Sequence, residues 1–166
     1  MRFLLAFLIA FCSFSPVYAM SLNFGDTAPN WTLPNQSDEA VEYYPDSEGK
    51  VSVILFWATW CPYCAKLMPH LQKVYDMYRD KGLRFYAIDT FENDSDIDPV
   101  KYFENKGYTY SLLLYGDSVA ELYGVEGTPG LFLVDKDKKI IYLRKSGTGD
   151  NQVEQDLIQL IGEAIK

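Results

Sequence analysis

Two cysteines, Cys61 and Cys64, stand three residues apart at the end of an apolar run. The stretch reads WATWCPYC over residues 57–64, with Pro62 and Tyr63 between the cysteines. A thiol pair at this spacing can form a structural disulfide, supply two metal ligands, or exchange electrons with another thiol pair. The surrounding sequence discriminates among these three.

The position of the pair favours redox exchange. Residues 51–57 predict a buried strand, and apolar residues recur at helical spacing after Pro62, so Cys61 falls where strand becomes helix. A helix N-terminus carries a partial positive charge and unpaired N–H groups that stabilise a thiolate. Cys64 returns to the same face one turn later. We therefore expect an exposed nucleophile at Cys61 and a shielded Cys64 that resolves the mixed disulfide.

The structural and metal alternatives fit the residues less well. A disulfide that closes a four-residue loop gains only about 1.9 kcal/mol from chain entropy. A zinc site needs four ligands, and the chain after residue 19 has no third cysteine and one histidine, His70, predicted to be exposed on another helix face. We predict no metal and no cofactor beyond a redox-active Cys61–Cys64 disulfide.

A thiol peroxidase is a closer competitor. The reactive cysteine of such enzymes follows the pattern Pro-x-x-x-Thr-x-x-Cys, whereas Ile54 and Ala58 occupy the corresponding positions before Cys61. The motif is absent, so we favour thiol–disulfide exchange.

The first 19 residues resemble a secretory signal peptide. Arg2 precedes an apolar segment over residues 3–14, Pro16 follows it, and Val17 and Ala19 are the small residues expected before a cleavage site. We predict cleavage before Met20 and an extracytoplasmic, periplasmic location, where disulfides persist. The alternative is an uncleaved segment that anchors the protein.

Composition predicts one globular domain over residues 20–166, because 48% of the residues are hydrophobic and 23% are charged. The formal net charge is −8, and no run of lysine and arginine occurs. Nucleic acid is therefore excluded as an expected partner.

Hydrophobic periodicity predicts alternating strands and helices. The predicted strands are Trp31–Leu33, Val41–Tyr43, Val51–Trp57, Leu83–Asp89, Tyr110–Leu114, Leu131–Val134 and Ile140–Leu143. The predicted helices are Pro62–Asp80 with Pro69 inside it, Pro99–Gly107, Ser118–Tyr123, and a closing helix capped by Asp150 or Asn151. This order predicts an α/β sandwich whose central sheet is parallel at first and antiparallel at the final hairpin.

These motifs resemble the thioredoxin superfamily: WATWCPYC, and Gly127-Thr128-Pro129-Gly130 before a strand. Within it, the opening residues 25–33 and the segment 91–107 are similar to TlpA-like extracytoplasmic thiol–disulfide reductases. The resemblance implies a thioredoxin-like fold, a central mixed β-sheet flanked by helices, with an N-terminal extension and a central insertion. It also implies a cis Pro129 that faces the cysteines. The substrate-binding residues it implies are Trp60, Pro62, Tyr63, Thr128 and Pro129.

Two positions depart from the family pattern. Leu55 stands where thioredoxins carry a buried aspartate, and Leu67 stands where many TlpA-like reductases carry a buried glutamate. Either carboxylate would accept a proton from the buried cysteine. Glu126, just before the Thr-Pro loop, is the candidate replacement.

The resemblance implies a monomeric reductase of exported proteins with cysteine pairs, such as apocytochrome c, recharged by a membrane electron donor. The dipeptide Pro62-Tyr63 resembles that of glutaredoxins and leaves the direction of exchange open. An oxidant that forms disulfides, and a non-catalytic chaperone that binds polypeptide in the same groove, remain as alternatives.

Overall fold

The computed structural model describes residues 22–93 and 97–166, so the predicted leader 1–19 lies outside the described residues. The strands are β1 Thr32–Pro34, β2 Ala40–Glu42, β3 Ser52–Trp57, β4 Arg84–Asp89, β5 Ser111–Leu113, β6 Gly130–Val134 and β7 Ile140–Leu143. The helices are α1 Tyr43–Asp46, α2 Pro62–Tyr78, α3 Pro99–Lys106, α4 Asp117–Leu122 and α5 Asp150–Ala164. A 3-10 turn, Arg79–Lys81, follows α2.

The central sheet is mixed, with the order β5-β4-β3-β6-β7. Strand β3 pairs in parallel with β4, and β4 in parallel with β5, whereas the β3–β6 and β6–β7 pairs are antiparallel. The prediction of a sheet that changes from parallel to antiparallel is therefore confirmed. Strands β1 and β2 form a separate antiparallel hairpin from the N-terminal extension.

Two apolar cores fill the two faces of this sheet. The first lies between the sheet and α2, α3 and α5, and it includes both cysteines. The second lies on the opposite face, where the N-terminal extension and α4 cover it. Strand β3 is fully buried and alternates between them: Val53, Leu55 and Trp57 face the first core, and Ile54 and Phe56 the second.

Several local predictions need correction. The predicted strand Val41–Tyr43 ends at Glu42, because Tyr43 begins a one-turn helix in which its ring stacks on Trp31 and its hydroxyl contacts Ser52. Helix α5 is preceded by Gly149 at its N-cap, with Asp150 already inside the first turn, so neither Asp150 nor Asn151 caps it.

His70 is also not the exposed residue that the sequence predicted. It is partly buried, and its Nδ1 contacts the Glu154 carboxylate at 2.5 Å. The contact joins α2 to α5, two helices that pack side by side on the same core. The pairing escaped prediction because Glu154 is distant in sequence and meets His70 only through tertiary packing.

Within the described residues, no helix is both long enough and apolar enough to cross a membrane.

Candidate active site

Cys61 and Cys64 are joined by a disulfide at the start of α2. Cys61 is the N-cap residue, Pro62 occupies the first turn, and the backbone N–H of Cys64 donates to Cys61 Sγ at 3.1 Å. Pro62 is tolerated there because its missing N–H has no intrahelical partner. The sequence prediction of a cysteine at the strand-to-helix junction is confirmed.

The expected difference in exposure between the two cysteines is wrong for this disulfide form. Cys61 is 3% exposed and Cys64 is 1% exposed, so both are buried. Cys61 is covered because its Sγ lies 3.5 Å from the carbonyl oxygen of Thr128. Two residues next to the cysteines are exposed instead: Trp60 is 45% exposed and Tyr63 is 66% exposed.

The Thr128–Pro129 loop faces the cysteine pair, and its peptide bond is cis, as the resemblance implies. An open groove of about 980 Å³ runs beside this loop. The groove is lined by Tyr63 and Lys66 from α2, by residues 123–132, and by Arg144 with residues 146–150. The structure thus brings Tyr63, Thr128 and Pro129 together at one surface.

Glu126 lies in this loop and is exposed to solvent. Leu55 and Leu67 are fully buried in the core that contains the cysteines. The positions of the family's buried carboxylates are therefore apolar here, and Glu126 does not occupy either of them.

Sequence reasoning missed two acidic residues next to the cysteine loop, Glu92 and Asp89. The Glu92 carboxylate accepts a hydrogen bond from the Thr59 amide at 2.5 Å and one from the Thr59 hydroxyl at 2.6 Å. Close by, Asp89 at the end of β4 is 6% exposed. The sequence signal for this group was a predicted buried strand that ends in an acidic residue. Only the fold shows that this strand end lies beside the cysteines.

Trp60 is fixed by the same segment. Its indole Nε1 donates to the carbonyl oxygen of Phe91 at 2.8 Å, although the ring remains half exposed. Trp60 is one of the substrate-binding residues that the resemblance implies. The structure shows an anchored ring with a free face.

Comparisons with known proteins show the family to which this chain belongs. Residues 24–143 match the model of the AhpC/TSA family. The chain belongs to this family. A relative from Bacillus thuringiensis (strain Al Hakam), thiol-disulfide oxidoreductase ResA, is 34% identical over 122 residues, which cover 72% of this chain and 68% of the relative. ResA of Geobacillus thermodenitrificans is 32% identical over 144 residues, covering 86% and 78%.

Solved structures show the same fold. A DsbE-type thiol:disulfide interchange protein from Chlorobium tepidum gives a TM-score of 0.75 at 26% identity, covering 88% of this chain and 100% of that one. The thioredoxin domain of a thiol-disulfide oxidoreductase from Bacteroides vulgatus gives 0.73 at 27% identity, with the same coverage. The thioredoxin-like fold and the resemblance to TlpA-type proteins are confirmed, and the protein is a thiol–disulfide oxidoreductase.

Proposed function

We propose that this protein is an extracytoplasmic reductase of disulfides in exported proteins. The observation that carries the proposal is the Cys61–Cys64 disulfide at a helix start, with the Thr128–Pro129 loop and an open groove beside it. In the reduced state the Cys61 thiolate attacks a substrate disulfide and forms a mixed disulfide. The Cys64 thiolate then attacks Cys61 Sγ, which releases the reduced substrate and restores the Cys61–Cys64 disulfide.

The surface beside the disulfide suits a polypeptide substrate. The Thr128 carbonyl lies within 3.5 Å of Cys61 Sγ, so an extended chain that bonds to this loop would pass close to the reactive sulfur. Trp60, Pro62 and Tyr63 are exposed next to Cys61, and Tyr63 also lines the groove. Exported proteins with cysteine pairs, apocytochrome c among them, are the substrates we propose.

Three further assignments belong to the same proposal. The predicted leader over residues 1–19 supports a location outside the cytoplasm. A reductase in that oxidising setting needs a continuous supply of electrons, for which we propose a membrane electron donor. The protein acts as a monomer, with the groove free for its substrate.

The redox state of the cysteines in intact cells tests the direction of exchange. Thiols are trapped in acid and then labelled with a mass tag, and the fraction of dithiol is read by gel shift. A predominantly dithiol pair is the result expected of a reductase. A predominantly disulfide pair would instead assign the oxidant role. Polypeptide binding that survives replacement of both cysteines by serine would support the chaperone alternative.

A further inference from the structure

A second group of side chains adjoins the cysteine loop on the side away from the groove. Asp89 is the last residue of β4, and in the sheet register it lies opposite Trp57, the last residue of β3. Phe85 and Ala87 face the core that contains the cysteines. Because side chains alternate along a strand, Asp89 falls on that same face.

Glu92 connects this strand end to the residues just before Cys61. Both of its carboxylate oxygens are used by Thr59, one by the amide and one by the hydroxyl. Phe91 holds Trp60 through its carbonyl oxygen. Thr59 and Trp60, the two residues directly before Cys61, are therefore both bonded to the segment that follows β4.

Asp89 is buried, and its Oδ1 has no hydrogen-bond partner among the described residues. Burial, followed by the hydrogen bond and the charge of Glu92 and the charge of Asp117, raises the pKa of Asp89 to about 8. A pKa raised in this way favours the protonated form of Asp89 at neutral pH.

The charges around Asp89 are of one sign. Glu92 faces it from the following loop, and Asp117 faces it from the start of α4, where the Asp117 carboxylate is bonded to Thr90 and Phe91. In the described parts of the chain, no lysine or arginine forms an ion pair with any of these three acids. The described residues also contain no group of acids arranged to hold a metal ion.

We propose that Asp89 and Glu92 form a carboxylic acid–carboxylate pair that holds the cysteine loop through Thr59 and makes thiol–disulfide exchange pH-dependent. Both are positioning residues, since they act on the cysteines through Thr59. The inference rests on the exchange activity alone and not on the direction or the substrate of the proposed function.

The pair changes state by losing a single proton. In the protonated state the Asp89 O–H donates to Glu92, and the Glu92 carboxylate accepts from the Thr59 amide and hydroxyl. When hydroxide removes the Asp89 proton as water, two adjacent carboxylates carry like charges in a site with little solvent. Their repulsion displaces Glu92 and weakens its hold on Thr59, so Cys61 is presented less well to a disulfide.

Infrared spectroscopy of the oxidised, full-length protein tests the shared proton. Ordinary carboxyl groups, with a pKa near 4, are ionised at pH 6.5. The C=O stretch of a carboxylic acid at that pH is therefore expected to report Asp89. We expect this band in the unmodified protein, its loss on titration to about pH 9.5, and its absence from Asp89→Asn. No carboxylic acid band at pH 6.5 would overturn the proposal.

The second measurement follows the reaction of the reduced protein with a small aromatic disulfide from pH 6 to pH 10. We expect the rate to rise as Cys61 ionises and then to fall above about pH 8 by roughly threefold to tenfold, which is what one lost hydrogen bond is worth. Asp89→Asn should lose the alkaline fall. Should that variant fail to fold, Glu92→Gln, whose side-chain amide can still pair with Thr59, should lose it too.

Glu104→Gln is the matched control, because Glu104 is an exposed carboxylate on α3, outside the groove and outside the Asp89–Glu92 pair. It should keep the alkaline fall. An identical fall in Asp89→Asn, or its loss in Glu104→Gln, would overturn the proposal. Absence of any reaction with the aromatic disulfide in the unmodified protein would contradict the exchange activity itself, which separates the two failures.

Discussion

On one side of Cys61 the chain presents an open groove beside Thr128 and Pro129, whereas on the other side Thr59 and Trp60 are bonded to residues 91–92. We call these the groove side and the β4 side. The groove side leaves side chains such as Glu126 exposed, and the β4 side buries Asp89. The difference teaches that the site combines a surface free to bind polypeptide with a support that fixes the reactive cysteine.

The largest expected effect is the pH dependence of the free energy of unfolding that Asp89 causes. Its folded-state pKa of about 8 lies above the ordinary value near 4, so the native state favours the protonated acid. The contribution of protonated Asp89 to the free energy of unfolding is complete below about pH 4 and is lost as the pH rises toward 8. The free energy of unfolding should therefore fall by up to about 1.4 kcal/mol per pH unit relative to Asp89→Asn.

Urea denaturation at half-unit steps from pH 5 to pH 9 measures this difference. Subtracting the Asp89→Asn profile removes the contribution of other titrating groups that both proteins share. Parallel profiles would show that Asp89 is ionised throughout and that the β4 side holds no buried acid.

The next largest effect is expected from Thr59→Val. This change removes the hydroxyl that donates to the Glu92 carboxylate and leaves a methyl group beside the charge. Hydrogen bonds to charged groups contribute about 1.5–3 kcal/mol, so the free energy of unfolding should fall by that amount. Thr59→Ser keeps the hydroxyl and should recover most of the loss. Equal stability of Thr59→Val and the unmodified protein would contradict the claim that the β4 side stabilises the cysteine loop through Thr59.

Alanine substitutions of two glycines, one on each side, compare the packing of the β4 side with that of the groove side. A Cβ at Gly116 would lie 2.1 Å from Ile88 Cγ2 and 2.8 Å from the Asp89 carbonyl oxygen, whereas a Cβ at Gly127 would meet nothing within 4 Å. Gly116→Ala should cost about 1–3 kcal/mol through overpacking. Gly127→Ala should change stability by less than about 0.5 kcal/mol. Thermal melts of the two variants measure the difference, and similar melting temperatures would contradict it.

The smallest effect is expected from Glu126→Gln. Glu126 is exposed, and surface substitutions away from packed features usually change stability by less than about 0.5 kcal/mol. Chemical denaturation at pH 7 should show that small change. A loss above about 1 kcal/mol would mean that the groove side also contains a structural carboxylate.

Much of the groove side could be predicted from the sequence, because its signals are local. The spacing of Cys61 and Cys64 after an apolar run defines the strand-to-helix junction, and the Thr128-Pro129 pair stands directly before a strand. The periodicity of β3 and α2 depends on neighbouring residues alone, so their positions were predicted to within a few residues.

The β4 side could not be predicted, because its contacts join distant residues. Glu92 is 33 residues from Thr59, and their contact depends on the parallel register that sets β4 beside β3. In the sequence, Asp89 and Glu92 read as the polar end of a strand and the start of a loop. The same reason explains why the contact of His70 with Glu154, 84 residues away, was missed.

The central claim is that Cys61 is the attacking cysteine and Cys64 the resolving one, and trapping of mixed disulfides tests it most directly. Cys64→Ser and Cys61→Ser are each reduced and mixed with a small protein that contains one disulfide, and covalent complexes are identified by mass spectrometry. The account predicts a stable mixed disulfide through Cys61 in Cys64→Ser and little or none in Cys61→Ser, because the attacking sulfur lies at the helix start. Equal trapping by both variants, or trapping through Cys64 alone, would contradict it.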